Sequence, residues 1–310
     1  MMIEHSNYIF AAFIITKDRH DILHSTIQKL LIQSFPPSFV LVIDNGSENI
    51  TSDMIKQLND ERISHFSVGY NAGPAGGAYW GMKLLFEMGY DWVLWVDDDD
   101  PPKFDDLFEQ LFKIVNDNEN PTLGMVGAVG ERFDKKKAKI VRLPDEELNG
   151  YLNVDTISGN MFPLISKRVF QQGILPSLNF FFGFEELEFC LTLKRKNFRI
   201  LTSGELHYKH RELMGRLNLD KVGYSKKSES LLWREYYSVR NLLHILVYQQ
   251  FSLSGIFLII LRNISKCIFV FKYGFNYGRK ANYMILKGLF DGFFDKMGMR
   301  ILPNAKQLIN

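Results

Sequence analysis

Four consecutive carboxylates, Asp97 to Asp100, close the apolar run WVLWV and are followed by Pro101 and Pro102. Adjacent negative charges repel one another and resist burial, so a strand that ends in them gains from a cation. Alternate residues of an extended backbone face the same way, which lets Asp97 and Asp99 share one ion while Asp98 points elsewhere. Oxygen-only ligands suit Mg2+ or Mn2+, the more so where phosphate oxygens complete the shell. A solvated acidic turn is the plain alternative, and Asp100 has the type of a helix-entry residue before PPKFDDLF.

Other stretches carry chemistry too. Asp44 and Asn45 end the run FVLVID just before Gly46, where an Asx turn capping the next helix and a ligand contact are compatible readings. The stretch YNAGPAGGAYWG (70–81) holds four glycines, including the pair Gly76 and Gly77. Close backbone approach to a ligand, or a phosphate at a helix N-terminus, explains that density, although neither the dinucleotide fingerprint nor the Walker lysine is present. FFFGFEELEFCLTLKRKN (180–197) sets Glu185, Glu186 and Glu188 at the start of a helix behind three phenylalanines. Such residues complement the helix dipole, and an aromatic flank can also raise a glutamate toward the pKa of a useful base. In HYKH (207–210), His207 and His210 are each able to complete a metal shell or to serve the core.

The elements that must hold these groups follow from periodicity. YIFAAFII, FVLVID, ISHFSVG and DWVLWV (91–96) read as strands, separated by helical patterns in 20–34, 52–58 and 76–89. That β-α order predicts a parallel sheet covered on both faces, with ligands at the carboxyl ends of the strands, where Thr16, Asp44 and Asp97 fall. After a helix at 105–117 come strands at LGMVGAVG and around NVDTISGNMFPLIS, a helix at 185–197 and the strand FRILTSG. The charged segment 131–150 reads equally as a flap over an acceptor or as a surface loop. Beyond 230 the chain reads as helices.

Composition sets the outer limits. At 310 residues, 46% hydrophobic and 23% charged, the chain is a folded globular protein. Two cysteines, Cys190 and Cys267, offer no disulfide framework, so a reducing cytosolic setting is expected. No secretion signal is visible in the first residues. The net charge of +2 hides an asymmetry, since residues 211–310 hold 16 Lys and Arg against 6 Asp and Glu, and residues 1–210 hold 21 against 29. In 251–280 the apolar run Leu253 to Leu261 is broken by Arg262 and Lys266 and is too short to span a bilayer. It reads as a helix lying on an anionic membrane surface or as an amphipathic helix packed on the core.

Taken in order, TKDRHDIL, VLVIDNGS, NAGPAGGAYWGM, WVLWVDDDDPP, SGNMF, FFGFEELEFCLTLKRKN and the later histidine resemble the family-2 glycosyltransferases of the GT-A fold, over roughly residues 8–210. Within that family the aspartate cluster and the glycine stretch are similar to bacterial galactofuranosyltransferase-like and rhamnosyltransferase-like members. The resemblance implies an α/β fold with a mostly parallel, Rossmann-like sheet flanked by helices. The catalytic domain would span 1–230, with a nucleotide-sugar half to about 120 and an acceptor half from 121, followed by a helical, basic, membrane-associating region at 231–310. It implies inverting transfer from a UDP- or dTDP-sugar to a glycan or lipid-linked glycan. Thr16, Arg19 and Asp44 would hold base and ribose, with Asn71, Gly77 and Asp98 also on the donor. Asp97 and Asp99 would hold Mn2+ or Mg2+, joined by His210 or in its place His207. Glu186 would be the base, Glu185 the second choice and Glu188 a supporting carboxylate. Relatives carry aspartates after a tryptophan where this chain has Phe184-Glu185-Glu186. No nucleic-acid partner is expected. A sugar nucleotidyltransferase and a non-catalytic sugar-nucleotide scaffold are the competing readings; the first would want a glycine-rich loop after the first strand, and TKDRHD has no glycine.

Overall fold

The computed structural model describes residues 8–46, 50–218 and 226–303. The first half is β1 (Phe10–Thr16), α1 (His20–Leu31), β2 (Phe39–Asp44), α2 (Ile50–Leu58), β3 (Ile63–Ser67), α3 (Gly73–Glu87), β4 (Trp92–Asp97) and α4 (Leu107–Asp117). Then follow β5 (Leu123–Val126), β6 (Arg132–Asp134), β7 (Lys139–Val141), β8 (Tyr151–Asn153), β9 (Leu164–Ser166), α5 (Lys167–Gln171), α6 (Glu185–Arg195), β10 (Arg199–Ser203) and α7 (Gly204–Leu213). The C-terminal region is α8 (Trp233–His244), α9 (Leu253–Phe269) and α10 (Phe275–Phe293).

Among the described residues eight strands form one sheet in the order β3-β2-β1-β4-β9-β5-β10-β8, and β6 pairs with β7. The chain leaves β1 toward β2 and β3, then returns to place β4 on the other side of β1. The crevice above β1 and β4 is therefore the switch point where such sheets bind ligands. Register aligns the relevant residues along that edge: Thr16 pairs with Asp44 and Ile15 with Asp97. Period-2 burial covers both faces. Phe10, Ala12 and Ile14 of β1 pack with Leu23, Ile27 and Leu111, whereas Ala11 and Phe13 pack with Ala78 and Met82 of α3.

Three expectations are revised. The segment expected as strand around NVDTISGNMFPLIS is split into β8 and β9 by a short helical turn at Gly159–Met161 that ends with Phe162 at φ 55. As a result β9 runs antiparallel to both β4 and β5. Asp100 does not enter a helix: α4 begins after Asp106, and Asp100 instead pairs with Lys103 at 2.6 Å and accepts from Asn160. Within the 131–150 segment, residues 132–141 form a hairpin docked on α9, whose Arg262 donates to the carbonyls of Lys137 and Ala138 and whose Ser252 cap donates to that of Lys135.

The C-terminal helices are tied to the loop that precedes α6. Arg240, wholly buried on α8, donates to the Phe180 carbonyl at 2.7 Å, and its guanidinium lies 4.7 Å from the Tyr237 ring centroid. The Asn241 amide donates to the carbonyls of Phe180, Phe182 and Gly183. These bonds hold a stretch in which Phe181, Gly183 and Phe184 all have positive φ, conformations that cost energy for phenylalanine. Asn241→Ala strips the amide donor from three buried carbonyls, and urea unfolding is expected to show a loss of about 2–3 kcal/mol.

Candidate active site

The four aspartates have four different surroundings. Asp98 is buried, accepts from Thr16 Oγ1 at 2.8 Å and pairs with Arg19 at 2.8 Å, while Thr26 donates to its carbonyl. Asp99 is half-exposed and pairs with the same Arg19 nitrogen at 2.6 Å. Asp100 is held by Lys103 and Asn160. Asp97 has no such partner: burial, then repulsion from Glu186, Asp99, Asp98 and Asp100, push its carboxyl up to about 7.

Glu186 reaches the same corner from α6. Its Oε1 accepts the Gly159 N–H at 3.2 Å, and burial raises its pKa while that bond lowers it. A side chain at Gly159 would sit 2.9 Å from Asp97 Oδ1 and 3.1 Å from Trp95 Nε1. The glycine is thus the spacer that lets the two carboxylates approach. Glu185 is 4% exposed, and burial together with Glu186 holds its pKa well above the ordinary range. Glu188 turns toward the C-terminal region, accepting from Gln249 at 2.6 Å and Thr192 at 3.1 Å.

A cavity of about 490 Å3 opens above these strand ends and is lined by Thr16, Arg19, Asn71, Asp97, Asp98 and Asp99. Asp44 lies beneath it, shaping its turn by accepting from Gly46 N–H at 2.6 Å and facing His65 at 3.2 Å. The capping half of the Asx-turn reading falls on 47–49, outside the described residues. Gly77 does not line the cavity either. A Cβ there would meet Ile15 at 2.6 Å, and one at Gly81 would meet Phe13 at 2.3 Å, so these glycines let α3 lie close on β1. Gly73 is the glycine that faces the cavity; its φ of +68 and its closeness to the Phe181 carbonyl exclude any side chain.

Neither histidine of HYKH lines the cavity. His210 packs near the Phe104 ring and feels Asp100, with burial lowering its pKa. His207 is fully buried, neither ring nitrogen has a partner, and burial followed by Arg211 pushes it down to about 3. Among the described residues no three His, Cys, Asp or Glu side chains form a ready metal shell. The donor set nevertheless fits a divalent cation: Asp97 and Asp99 face one cavity, and the charged groups that act most strongly on Asp97 are carboxylates.

The rest of the lining joins two phenylalanines of the aromatic flank to C-terminal residues that no local pattern marked. Phe181, Phe182, Trp233, Arg234 and Pro303 line the cavity together with the aspartates, as do Lys17 and Asn45. The Arg234 guanidinium lies over Phe182 and Trp233, 5.2 and 5.4 Å from their centroids, and its Nε is buried without a partner. One cavity lining thus offers carboxylates for a cation and a cation for an anion.

The sequence profile described as glycosyl transferase family 2 matches residues 11–171, just over half of the chain. The chain belongs to that family. Solved structures similar to this glycosyltransferase include a mannosyltransferase from Pyrobaculum calidifontis, PcManGT, determined with GDP-Man and Mn2+, at TM-score 0.55 and 11% identity over 94% of this chain and 89% of that one. Another is GalNAc-T7 with UDP, GalNAc and Mn2+, at TM-score 0.50 and 12% identity, covering 64% of this chain and 42% of the other. At such identities the likeness is one of fold. No curated protein is similar enough in sequence to count as a match.

Arg234 generates a direct expectation for the family-2 glycosyltransferase. Arg234→Ala should weaken pyrophosphate binding in the presence of Mn2+ about tenfold, one charge-assisted contact, measured by calorimetry.

Proposed function

We propose that the protein is an inverting, metal-dependent glycosyltransferase that moves a sugar from a nucleotide-diphosphate donor to a hydroxyl of a cell-surface polysaccharide or its lipid-linked precursor. The observation that carries the reading is the approach of Asp97 and Glu186 beside Gly159: Asp97 lines the cavity with Asp99, Arg19 and Arg234, and Glu186 lies behind that lining, close enough to raise the Asp97 carboxyl. Galactofuranose or rhamnose is the favoured sugar, on the motif resemblance, with UDP or dTDP as carrier.

Each residue has a separable task. Asp97 and Asp99 would hold Mn2+ or Mg2+ beside the donor diphosphate, where the ion supplies positive charge as the leaving group becomes more negative. Arg234 lines the same cavity and offers a cation to that charge. Thr16 and Arg19 hold Asp98 in place and offset part of the rise that burial imposes on its carboxyl, and Asn71 sits where α3 begins. Glu186 takes the proton of the acceptor hydroxyl as that oxygen bonds to the anomeric carbon. The bond from that carbon to the diphosphate breaks on the opposite face, which inverts the centre. Glu186 is chosen over Glu185 because Glu185 is the more deeply buried of the two. Glu186 is exposed enough for an acceptor to reach it, while its partial burial raises its proton affinity toward that of a base.

Membrane association is part of the proposal. The stretch Leu253–Tyr273 has a mean hydropathy of 1.8 over a membrane-spanning length, which revises the expectation that it is too short. In this fold Arg262 is bonded to the hairpin and Lys266 to Glu235, ties that a spanning position would break. The arrangement supports a helix resting on the inner face of the cell membrane, in contact with anionic lipid.

Two measurements check these readings. Asp99→Ala and Glu186→Gln should each lower metal-dependent transfer by about 100-fold or more, in line with loss of a metal ligand or a general base; unchanged transfer in both variants overturns the assignment. Liposome flotation should show binding that grows with anionic lipid content and falls as salt rises. Equal flotation with neutral vesicles removes the membrane reading and leaves the enzyme reading intact.

A further inference from the structure

A second cavity, also of about 490 Å3, lies between α8, α9 and Phe184. One wall is a single face of α9: Ile259, Arg262, Asn263 and Lys266 recur at three- and four-residue intervals. Leu253, Phe257, Leu261, Ile264 and Ile268 recur in the same way and are exposed, from 48% at Leu261 to 82% at Leu253. At about 100° of rotation per residue the two sets fall on opposite sides of the helix. The polar face therefore looks into the cavity while the apolar face is left bare.

We propose that this cavity receives the phosphate or diphosphate of a lipid-borne acceptor while α9 rests in the bilayer surface with its bare face down. The proposal builds on the glycosyltransferase reading and names the acceptor's chemistry. An interfacial helix sinks its apolar side about 5–10 Å into the headgroup boundary and is itself about 10 Å across, which lifts its upper face to the level of the lipid phosphates. There Lys227, Arg262 and Lys266 meet one carboxylate, Glu235. Glu235 is 4% exposed and is bridged by both lysines, so the ammonium groups are fixed before any ligand arrives. Burial alone would raise the Glu235 carboxyl, but Lys266 and Lys227 hold it below the ordinary range, and it stays ionised as their counter-charge. Three cations against one anion leave an excess of positive charge that suits a diphosphate.

Position relative to the chemistry agrees with this role. Phe184 forms part of the cavity wall and immediately precedes Glu185 and Glu186 at the start of α6. On the other side of the same segment, Phe182, Trp233 and Arg234 line the first cavity. The two cavities are thus separated by residues 182–184 and the first turn of α8. Through Phe184 the second cavity borders the segment that leads into Glu185 and Glu186.

The test uses the full chain and phosphatidylcholine vesicles that carry geranylgeranyl diphosphate, with EDTA present so that cation-dependent diphosphate binding above Asp97 is silent. Saturable binding is expected. Lys227→Gln combined with Arg262→Gln should weaken it about tenfold or more, whereas Arg262→Lys, which keeps the charge, should leave it within about twofold. Mn2+-dependent binding of UDP or dTDP to the double variant should match the parent protein, showing that the fold and the first cavity are intact. Vesicle binding that ignores the double substitution, or inorganic pyrophosphate in EDTA binding as tightly as the lipid, overturns the proposal. Loss of nucleotide binding in the parent protein would instead overturn the glycosyltransferase reading, so the two failures are distinguishable.

Discussion

Carboxylate repulsion at the end of β4 is the constraint around which the molecule is arranged. Asp97 is buried among Asp98, Asp99, Asp100 and Glu186, and no described residue neutralises it. The fold deals with its neighbours one at a time. Thr16 and Arg19 take Asp98, Lys103 and Asn160 take Asp100, and the backbone of Gly159 takes Glu186. What remains is a single unsatisfied negative corner facing a cavity. Such a corner is suited to a cation-bearing ligand, whose charge would lower the Asp97 carboxyl that its neighbours raise.

The C-terminal helices are as much a part of this arrangement as the sheet. Arg240 and Asn241 bind the backbone of residues 180–183, and that segment sets where α6 and its glutamates begin. A fully buried guanidinium is costly unless its donors are met, and Arg240 meets them with Asn241, Gly298 and Phe180 and with the faces of Tyr236 and Tyr237. The charge is spent on fixing three left-handed residues that would otherwise relax. Local strain beside the carboxylates is therefore maintained from α8.

Much of this was legible in the residues, and the limits have physical causes. The β-α order of the first hundred residues is written in apolar periodicity, because each strand is covered on both faces and each helix on one. Thr16, Asp44 and Asp97 were legible as a group because strand ends in a parallel sheet converge, whereas Arg19 and Asn71 were implied only by the family resemblance. Gly77 misled because a glycine near a helix start admits either a ligand or a neighbouring strand, and only the packing of Ile15 decides. The reversal at β9 was hidden, since direction depends on partners far along the chain. Arg234 and Trp233 were hidden for the same reason: they lie more than a hundred residues from the strands whose cavity they close, and only the fold brings them there. The spacer role of Gly159 had a signal in SGNMF but no visible cause.

The cavity above the aspartates has one wall from the chain's beginning, at Thr16 and Arg19, and another from near its end, at Trp233, Arg234 and Pro303. The enzyme is consequently not a modular core with a detachable tail. A fragment trimmed to the stretch that matches the family would keep Asp97, Asp98 and Asp99 and lose Phe181, Phe182, Trp233, Arg234 and Pro303 from the same cavity lining. Swapping C-terminal regions between relatives would then exchange part of the cavity's lining as well as the helices themselves.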